Sequence, residues 1–296
     1  MATAVATKAV EMEMPEQASL WSDAWRRLRR NRLALVSSIY LVLLVAVALI
    51  ALVWTPYRMS AIGIAPTYQG VTSAHWLGVD SLGRDILSRL MVGAQVSLIV
   101  GVGTQFFVLL VGVPIGLAAG YYRGWFDDIV SFVINVFYGI PDLLVAMIMV
   151  FLLGPSLTNI IIAIVVTRWM DMARLVRGQA LSLREREFVE AGRAAGAKPF
   201  RMLFGHILPN ALGPIIVQAT LGVPGAILFE AFLSFLGVGV QPPTPSWGSM
   251  AADGVHAIEF APHIVIAPSI ALSLTLIAFN FLGDGLRDAL DPRSRR

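Results

Sequence analysis

Residues 190–210 read EAGRAAGAKPFRMLFGHILPN, a short basic segment rich in small residues and placed between two long apolar runs. It is too polar to cross a bilayer and too short to form a domain. The apolar runs therefore carry the architecture, and this segment joins them at a membrane face. A helix over residues 184–197 puts Phe188, Ala191 and Ala195 on one narrow face of low relief, because they recur at i, i+3 and i+7. Gly192 and Gly196 lower the relief further. Glycine inside a helix costs about 1 kcal/mol relative to alanine, so its use here points to close approach by another surface. Gly196 followed by Pro199 is also a helix stop. Two readings stand, a docking element for a second protein and an ordinary cytosolic loop.

The composition sets the frame for that segment. The chain has 296 residues, 57% hydrophobic and 14% charged, with a mean hydropathy of +0.74, which predicts an all-α polytopic membrane protein. Residues 33–54 contain no charged side chain and reach about 33 Å as a helix, enough for a hydrocarbon core of roughly 30 Å. That run exceeds the apolar region of a cleaved signal peptide, about 7 to 15 residues. Further spans are predicted at 96–119, 129–153, 159–172, 211–236 and 264–283, giving six transmembrane helices. Arg168 and Asp171 limit the fourth of these; they are expected near its inner mouth, with the helix running on into the cytosol.

The organisation that follows is a cytoplasmic N-terminal arm over 1–32 and a first span over 33–54. An external loop follows over 55–95, then a five-helix core over 96–283 that includes the cytoplasmic segment 184–209, and a tail over 284–296. Residues 1–20 lack a sustained apolar period and are expected to be a mobile arm. In WSDAWRRLRRNR, residues 21–32, Trp21, Trp25 and Leu28 share a helical face opposite five arginines, as in a helix lying on an anionic interface or in a plain basic flank. With that arm inside, Arg123, Arg174, Arg177, Arg184, Arg186, Arg193, Lys198, Arg201, Arg287, Arg293, Arg295 and Arg296 are also cytoplasmic, and only Arg58, Arg84 and Arg89 are external. Both termini are thus expected in the cytosol of a bacterial or archaeal inner membrane.

No catalytic constellation is present in the sequence. The two lysines, Lys8 and Lys198, have neither the preceding glycine nor the following hydroxyl of a phosphate-cradling loop. The four histidines show no H-E-x-x-H spacing, and the absence of cysteine removes disulfides and thiolate metal sites. The arginines flank apolar spans, where lipid and topology account for them, so nucleic acid is not an expected partner.

Within the spans, Gly112, Gly116 and Gly120 form a small-residue face for close helix packing. Pro114, Pro141, Pro214 and Pro224 interrupt helical hydrogen bonding, as in movable, cavity-lining helices or in static kinks. Asp142 and Glu230 are intramembrane acids, read either as caps and backbone partners or as pathway residues. Neither is accompanied by the second acid, His chain or paired Arg that a proton relay requires.

The 190–210 segment resembles the EAA loop of binding-protein-dependent ABC importer permeases, whose pattern is E-A-A, three residues, G, nine residues, I-x-L-P. Glu190, Ala191, Gly196, Leu208 and Pro209 stand at their places, Gly192 replaces the third alanine, and His206 takes the isoleucine position with Ile207 just after it. Three further stretches are similar to the C-type permease of oligopeptide and dipeptide importers: HWLGVDSLGRDILSRLMVGAQVSL at 75–98, EAFLSFLGVGVQPPTPSWG at 230–248 and FNFLGDGLRDALDPR at 279–293. The resemblance implies the type I importer arrangement of six helices, a second homologous permease, two ATPase subunits and an external solute-binding protein. It implies no cofactor on this chain, with ATP and magnesium held by the ATPases. It assigns Glu190, Ala191, Gly192, Ala195, Gly196, Leu208 and Pro209 to ATPase coupling. Asp80, Arg84 and Asp85 are expected either to touch the binding protein or to cap a surface helix. The cargo implied is a short peptide, with nickel, glutathione or another small solute as alternatives. A proton-coupled secondary transporter is the rival class, and it should show internal repeats and an embedded acid network; a membrane scaffold without transport activity is the third.

Overall fold

The structure is a computed structural model that describes residues 20–291, and the regular elements among them are helices. The expected mobile arm, apart from Leu20, and the tail arginines Arg293, Arg295 and Arg296 lie outside the described residues. Helix α1, Leu20–Arg30, and α2, Arg32–Ile50, meet at Asn31, whose side chain caps α2 by accepting from the Ala34 amide at 3.2 Å. Along α2 a stripe of Ala34, Leu41, Leu44 and Ala48 is buried, whereas Val36, Val42, Leu43 and Leu49 are exposed. A helix apolar on all sides with one buried stripe faces lipid with the remainder.

Helix α3, Ile86–Tyr122, runs for 37 residues, about 55 Å, and so begins ten residues before the expected span. Its glycine face packs on α6, Leu157–Arg184. A Cβ placed on Gly112 would sit 2.8 Å from the Trp169 carbonyl oxygen; on Gly116, 2.5 Å from that of Ala173; on Gly120, 2.6 Å from that of Arg177. The contacts advance together along both helices, so α3 and α6 run parallel at backbone-contact range, as the spacing of the glycines predicts.

Parallel neighbours require the intervening chain to return across the same depth. It does so as two pieces, α4, Gly124–Tyr138, and α5, Asp142–Leu153, bent by 89° at Gly139, Ile140 and Pro141. This corrects the single span expected over 129–153. Pro114, Pro214 and Pro224, by contrast, lie inside continuous helices. Proline alone does not break these helices, and neither does a glycine just before it, since Gly112, Gly213 and Gly222 stand one or two residues before those three prolines.

After α6 come α7, Glu187–Ala194, the single turn α8, Pro199–Met202, and a π-helical turn over Leu203–Ile207 that leads directly into α9, Leu208–Phe235. A short α10, Trp247–Val255, and the long α11, His263–Leu290, complete the bundle. Four helices, Arg32–Ile50, Ile86–Tyr122, Pro199–Phe235 and His263–Leu290, are long and apolar enough to cross a membrane, and the bent pair makes a fifth if its two pieces form one span. Helix α6 carries too many charges to qualify on hydropathy. Its parallel packing on α3 argues for the sixth crossing.

Candidate functional site

The segment singled out in the sequence forms a two-sided platform. Glu190, Ala191, Ala194, Ala195 and Gly196 are exposed, and three aromatic rings flank them, Phe188 at 39% exposure, Phe200 at 72% and Phe204 at 39%. The Phe200 and Phe204 rings lie 4.6 Å apart. Helix α7 ends in a closed C-terminal motif: the Gly196 amide donates to the Arg193 carbonyl at 2.9 Å and the Ala197 amide to the Gly192 carbonyl at 3.0 Å. Gly196 holds φ of +79° with open space around it, so it serves the turn and not a close contact. Gly192 is different. A Cβ there would stand 3.0 Å from the Met202 sulfur, so the close approach it permits is by its own chain, which corrects the expectation of a foreign surface at that residue.

Behind the platform, Val189 and Met202 are buried with Leu117 of α3, Val176 and Ala180 of α6, Ile207 of the π-helical turn and Ala211 of α9; Leu208 packs against the same cluster. Arg193 lies over the Tyr121 ring at 5.2 Å, and Arg184 donates to the Tyr121 carbonyl at 2.7 Å. Arg177 of α6 grips Asp127 of α4 with two donors, the Nη2 bond being 2.8 Å. A close-packed cluster yields little, so α7 is tied to the neighbouring ends of α3, α6 and α9, and through the Arg177–Asp127 pair to α4. Of the predicted coupling residues, Glu190, Ala191, Ala195 and Gly196 share the exposed side, Gly192 and Leu208 anchor the platform, and Pro209 is exposed at the start of α9.

At the opposite end, Asp80, Arg84 and Asp85 are buried at 4%, 6% and 2% exposure. Asp80 accepts from the amides of Leu82 and Arg84 and pairs with the Arg84 Nε at 2.6 Å. Asp85 caps α3 by accepting from the Ser88 amide at 2.8 Å, and its other oxygen meets the His75 Nδ1 at 2.9 Å. These side chains thus cap α3 and fasten the loop, the second of the two expectations, which is compatible with the first. They fold the loop against α10, where Arg84 Nη2 lies 3.5 Å from Asp253. Trp247, fully buried, donates its indole N–H to the Leu90 carbonyl at 3.1 Å.

Glu230 is fully buried and accepts from the Ser234 hydroxyl at 2.6 Å. Ser234 in turn accepts from the Val240 amide at 3.2 Å and from the Ser246 hydroxyl at 3.3 Å, and Ser246 caps α10. Glu230 thus fastens the end of α9 to the turn that follows it.

Asp142 has the opposite setting. Its carboxylate lies 3.1 Å from Arg168 Nη2, and Asp171 lies 3.9 Å from Arg168 Nη1. The expectation that Asp142 lacks a paired Arg and a second acid is corrected by this packing of α5 on α6. Tyr138 donates to Asp171 at 2.6 Å, and Arg174 lies over the Tyr138 ring at 4.3 Å. The group borders a cavity of about 360 Å³ at the α4–α5 bend. From the sequence, Arg168 and Asp171 limit an apolar run and stand near its inner mouth, with no partner assigned. The available signal was a pair of opposite charges at i, i+3 inside a span, which at such depth requires a protein or water partner.

Comparison with known proteins decides the family. Residues 112–296 match the family model described as the binding-protein-dependent transport system inner membrane component, and residues 19–69 match the N-terminal TM domain of oligopeptide transport permease C. The chain belongs to this permease family. The oligopeptide transport system permease protein OppC of Bacillus subtilis is 43% identical over 94% of this chain and 91% of its own length. The dipeptide permease DppC of the same organism is 45% identical over 94% and 87%. A glutathione transport permease, GsiD of Pectobacterium atrosepticum, is 40% identical over 92% and 91%. The fold matches an inward-facing methionine ABC transporter, MetNI, with a TM-score of 0.58 and 21% identity over 68% of this permease and 96% of that chain. This permease is accordingly a multi-pass, non-catalytic subunit of an ABC importer in the inner membrane.

Proposed function

We propose that this permease forms half of the translocation pathway of an ATP-driven importer for short peptides, paired with a second homologous permease, two ATPase subunits and an external solute-binding protein. ATP and magnesium sit on the ATPases, and both termini face the cytosol. The observation that carries the coupling role is the two-sided platform: α7 offers an exposed face of small residues rimmed by Phe188, Phe200 and Phe204, and its back is welded by Val189 and Met202 to the inner ends of the spans. A surface of that form accepts a partner's groove and passes its displacement inward; closure of the ATPases on ATP would move α7 and the spans as one body, giving alternating access.

The peptide and dipeptide relatives support the cargo class. The glutathione relative fits the alternative cargo, another small solute. Co-expression with the cognate ATPases tests the coupling role. Glu190→Lys reverses a charge on the exposed face and should abolish their copurification in mild detergent, whereas an intact complex with undiminished ATP-dependent uptake would refute it. Mass spectrometry of the solute that copurifies with the cognate binding protein identifies the cargo, and a sugar or a metal there would refute the peptide assignment.

A further inference from the structure

The α4–α5 bend opens a charged cleft that the coupling role does not use. Arg168 stands between two carboxylates, Asp142 at 3.1 Å and Asp171 at 3.9 Å, and its guanidinium lies 5.2 Å from the Phe229 ring of α9. It therefore touches α5, α6 and α9 at once. The side chains remain open to the cavity, with 48% of Asp142, 40% of Asp171 and 35% of Arg168 exposed. Arg168 and Asp171 also border a second cavity of about 150 Å³ lined by Gln105 and Gln218, so the two stand at the wall between the spaces.

Charges within a membrane bundle face protein or water, because exposure to hydrocarbon is too costly. This chain leaves the cleft half open, and in the importer reading above that open side faces the pathway shared with the second permease. Arg168 is only partly engaged there. Of its five donors, one approaches Asp142 closely, the contact to Asp171 is beyond hydrogen-bond length, and Nε has no partner.

We propose that Arg168, with Asp142 and Asp171 on either side, is a pathway subsite for zwitterionic short peptides, the guanidinium receiving the terminal carboxylate and the aspartates the terminal ammonium. The inference rests on the importer reading above and adds the residues that recognise cargo within the membrane. The chemistry selects this class. A solute carrying both charges can replace each member of the pair without leaving a partner unpaired, which is the condition for breaking a partly buried ion pair at low cost. A neutral sugar has no charge to exchange for either member, and a metal cation meets the guanidinium between the two carboxylates. The bidentate geometry of guanidinium with carboxylate favours Arg168 over a lysine for the same task.

The test uses the full complex in proteoliposomes, with its ATPases, second permease and binding protein, and radiolabelled dialanine as the probe. Arg168→Gln should lower ATP-dependent uptake at least tenfold while the subunits still copurify. The double exchange Asp142→Leu with Arg168→Leu replaces the ion pair between α5 and α6 by an apolar contact, and it should not restore uptake. Restoration to within twofold of wild type would mean that the pair is only a structural latch, and would overturn the proposal. Unchanged uptake by Arg168→Gln overturns it as well. Should that variant lose its partners, Asp171→Asn is measured instead; it keeps an acceptor for Tyr138, and the same tenfold loss is expected, with unchanged uptake again fatal. Failure of the wild-type complex to import dialanine overturns the peptide-importer reading, and this subsite with it.

Discussion

Glu230 and Asp142 are two acids of one membrane bundle with opposite fates, and their immediate partners decide which fate each meets. Glu230 has no exposed surface and a single close donor, the Ser234 hydroxyl, which joins it to the Val240 amide and the Ser246 cap. A buried acceptor that satisfies a chain of donors stabilises through what its removal would strand. Glu230→Ala should therefore cost about 1–3 kcal/mol, since Ser234 loses its acceptor and the turn after α9 loosens. Glu230→Gln keeps a carbonyl oxygen in place and should cost less. Thermal unfolding of the two variants in the same detergent checks the order; equal midpoints would show that the carboxylate's hydrogen bond contributes nothing. Asp142, facing a guanidinium and a cavity, has no such fastening role and remains available for exchange.

Helix α7 is only eight residues long, so its placement depends on how it ends. The paired bonds at Gly196 and Ala197 close it, and they require the left-handed backbone that Gly196 adopts. A β-branched residue there costs about 1–2 kcal/mol, whereas asparagine tolerates the same conformation. Gly196→Val should loosen the platform and lower uptake per ATP hydrolysed, and Gly196→Asn should stay near wild type; parity between the two variants would show that the turn does not govern coupling. This stop was readable in the sequence because it depends on neighbours in the chain, as was the glycine face of α3, which depends on a single helical period. The break at Pro141 was only half readable. Proline marked the site, but Pro114, Pro214 and Pro224, each also preceded by a glycine within two residues, mark continuous helices in the same way. The Arg168–Asp142 pair and the burial of Asp80, Arg84 and Asp85 were not readable, because each is created by contacts between distant elements.

The chain as a whole must cross the membrane in alternation, and one step of that count rests on packing, because α6 is too charged to announce itself by hydropathy. Parallel packing of α3 on α6 puts the start of α4 on the side where α3 ends and the end of α5 on the side where α6 begins. The bent pair is therefore expected to cross, whereas a re-entrant hairpin would bring both of its ends to one face. Because the sequence contains no cysteine, single cysteines report on this directly. Ile62→Cys, in the outer loop, and Phe200→Cys, on the coupling platform, mark the two faces at positions 67% and 72% exposed. A maleimide that does not cross the membrane should label Ile62→Cys in intact cells and Phe200→Cys only after permeabilisation. Trp125→Cys, at the start of α4, should then behave like Phe200→Cys, and Pro155→Cys, in the exposed turn after α5, like Ile62→Cys. If Pro155→Cys and Trp125→Cys label from the same side, α4 and α5 do not cross, the count of six spans falls, and α6 can no longer run parallel to α3 through the bilayer.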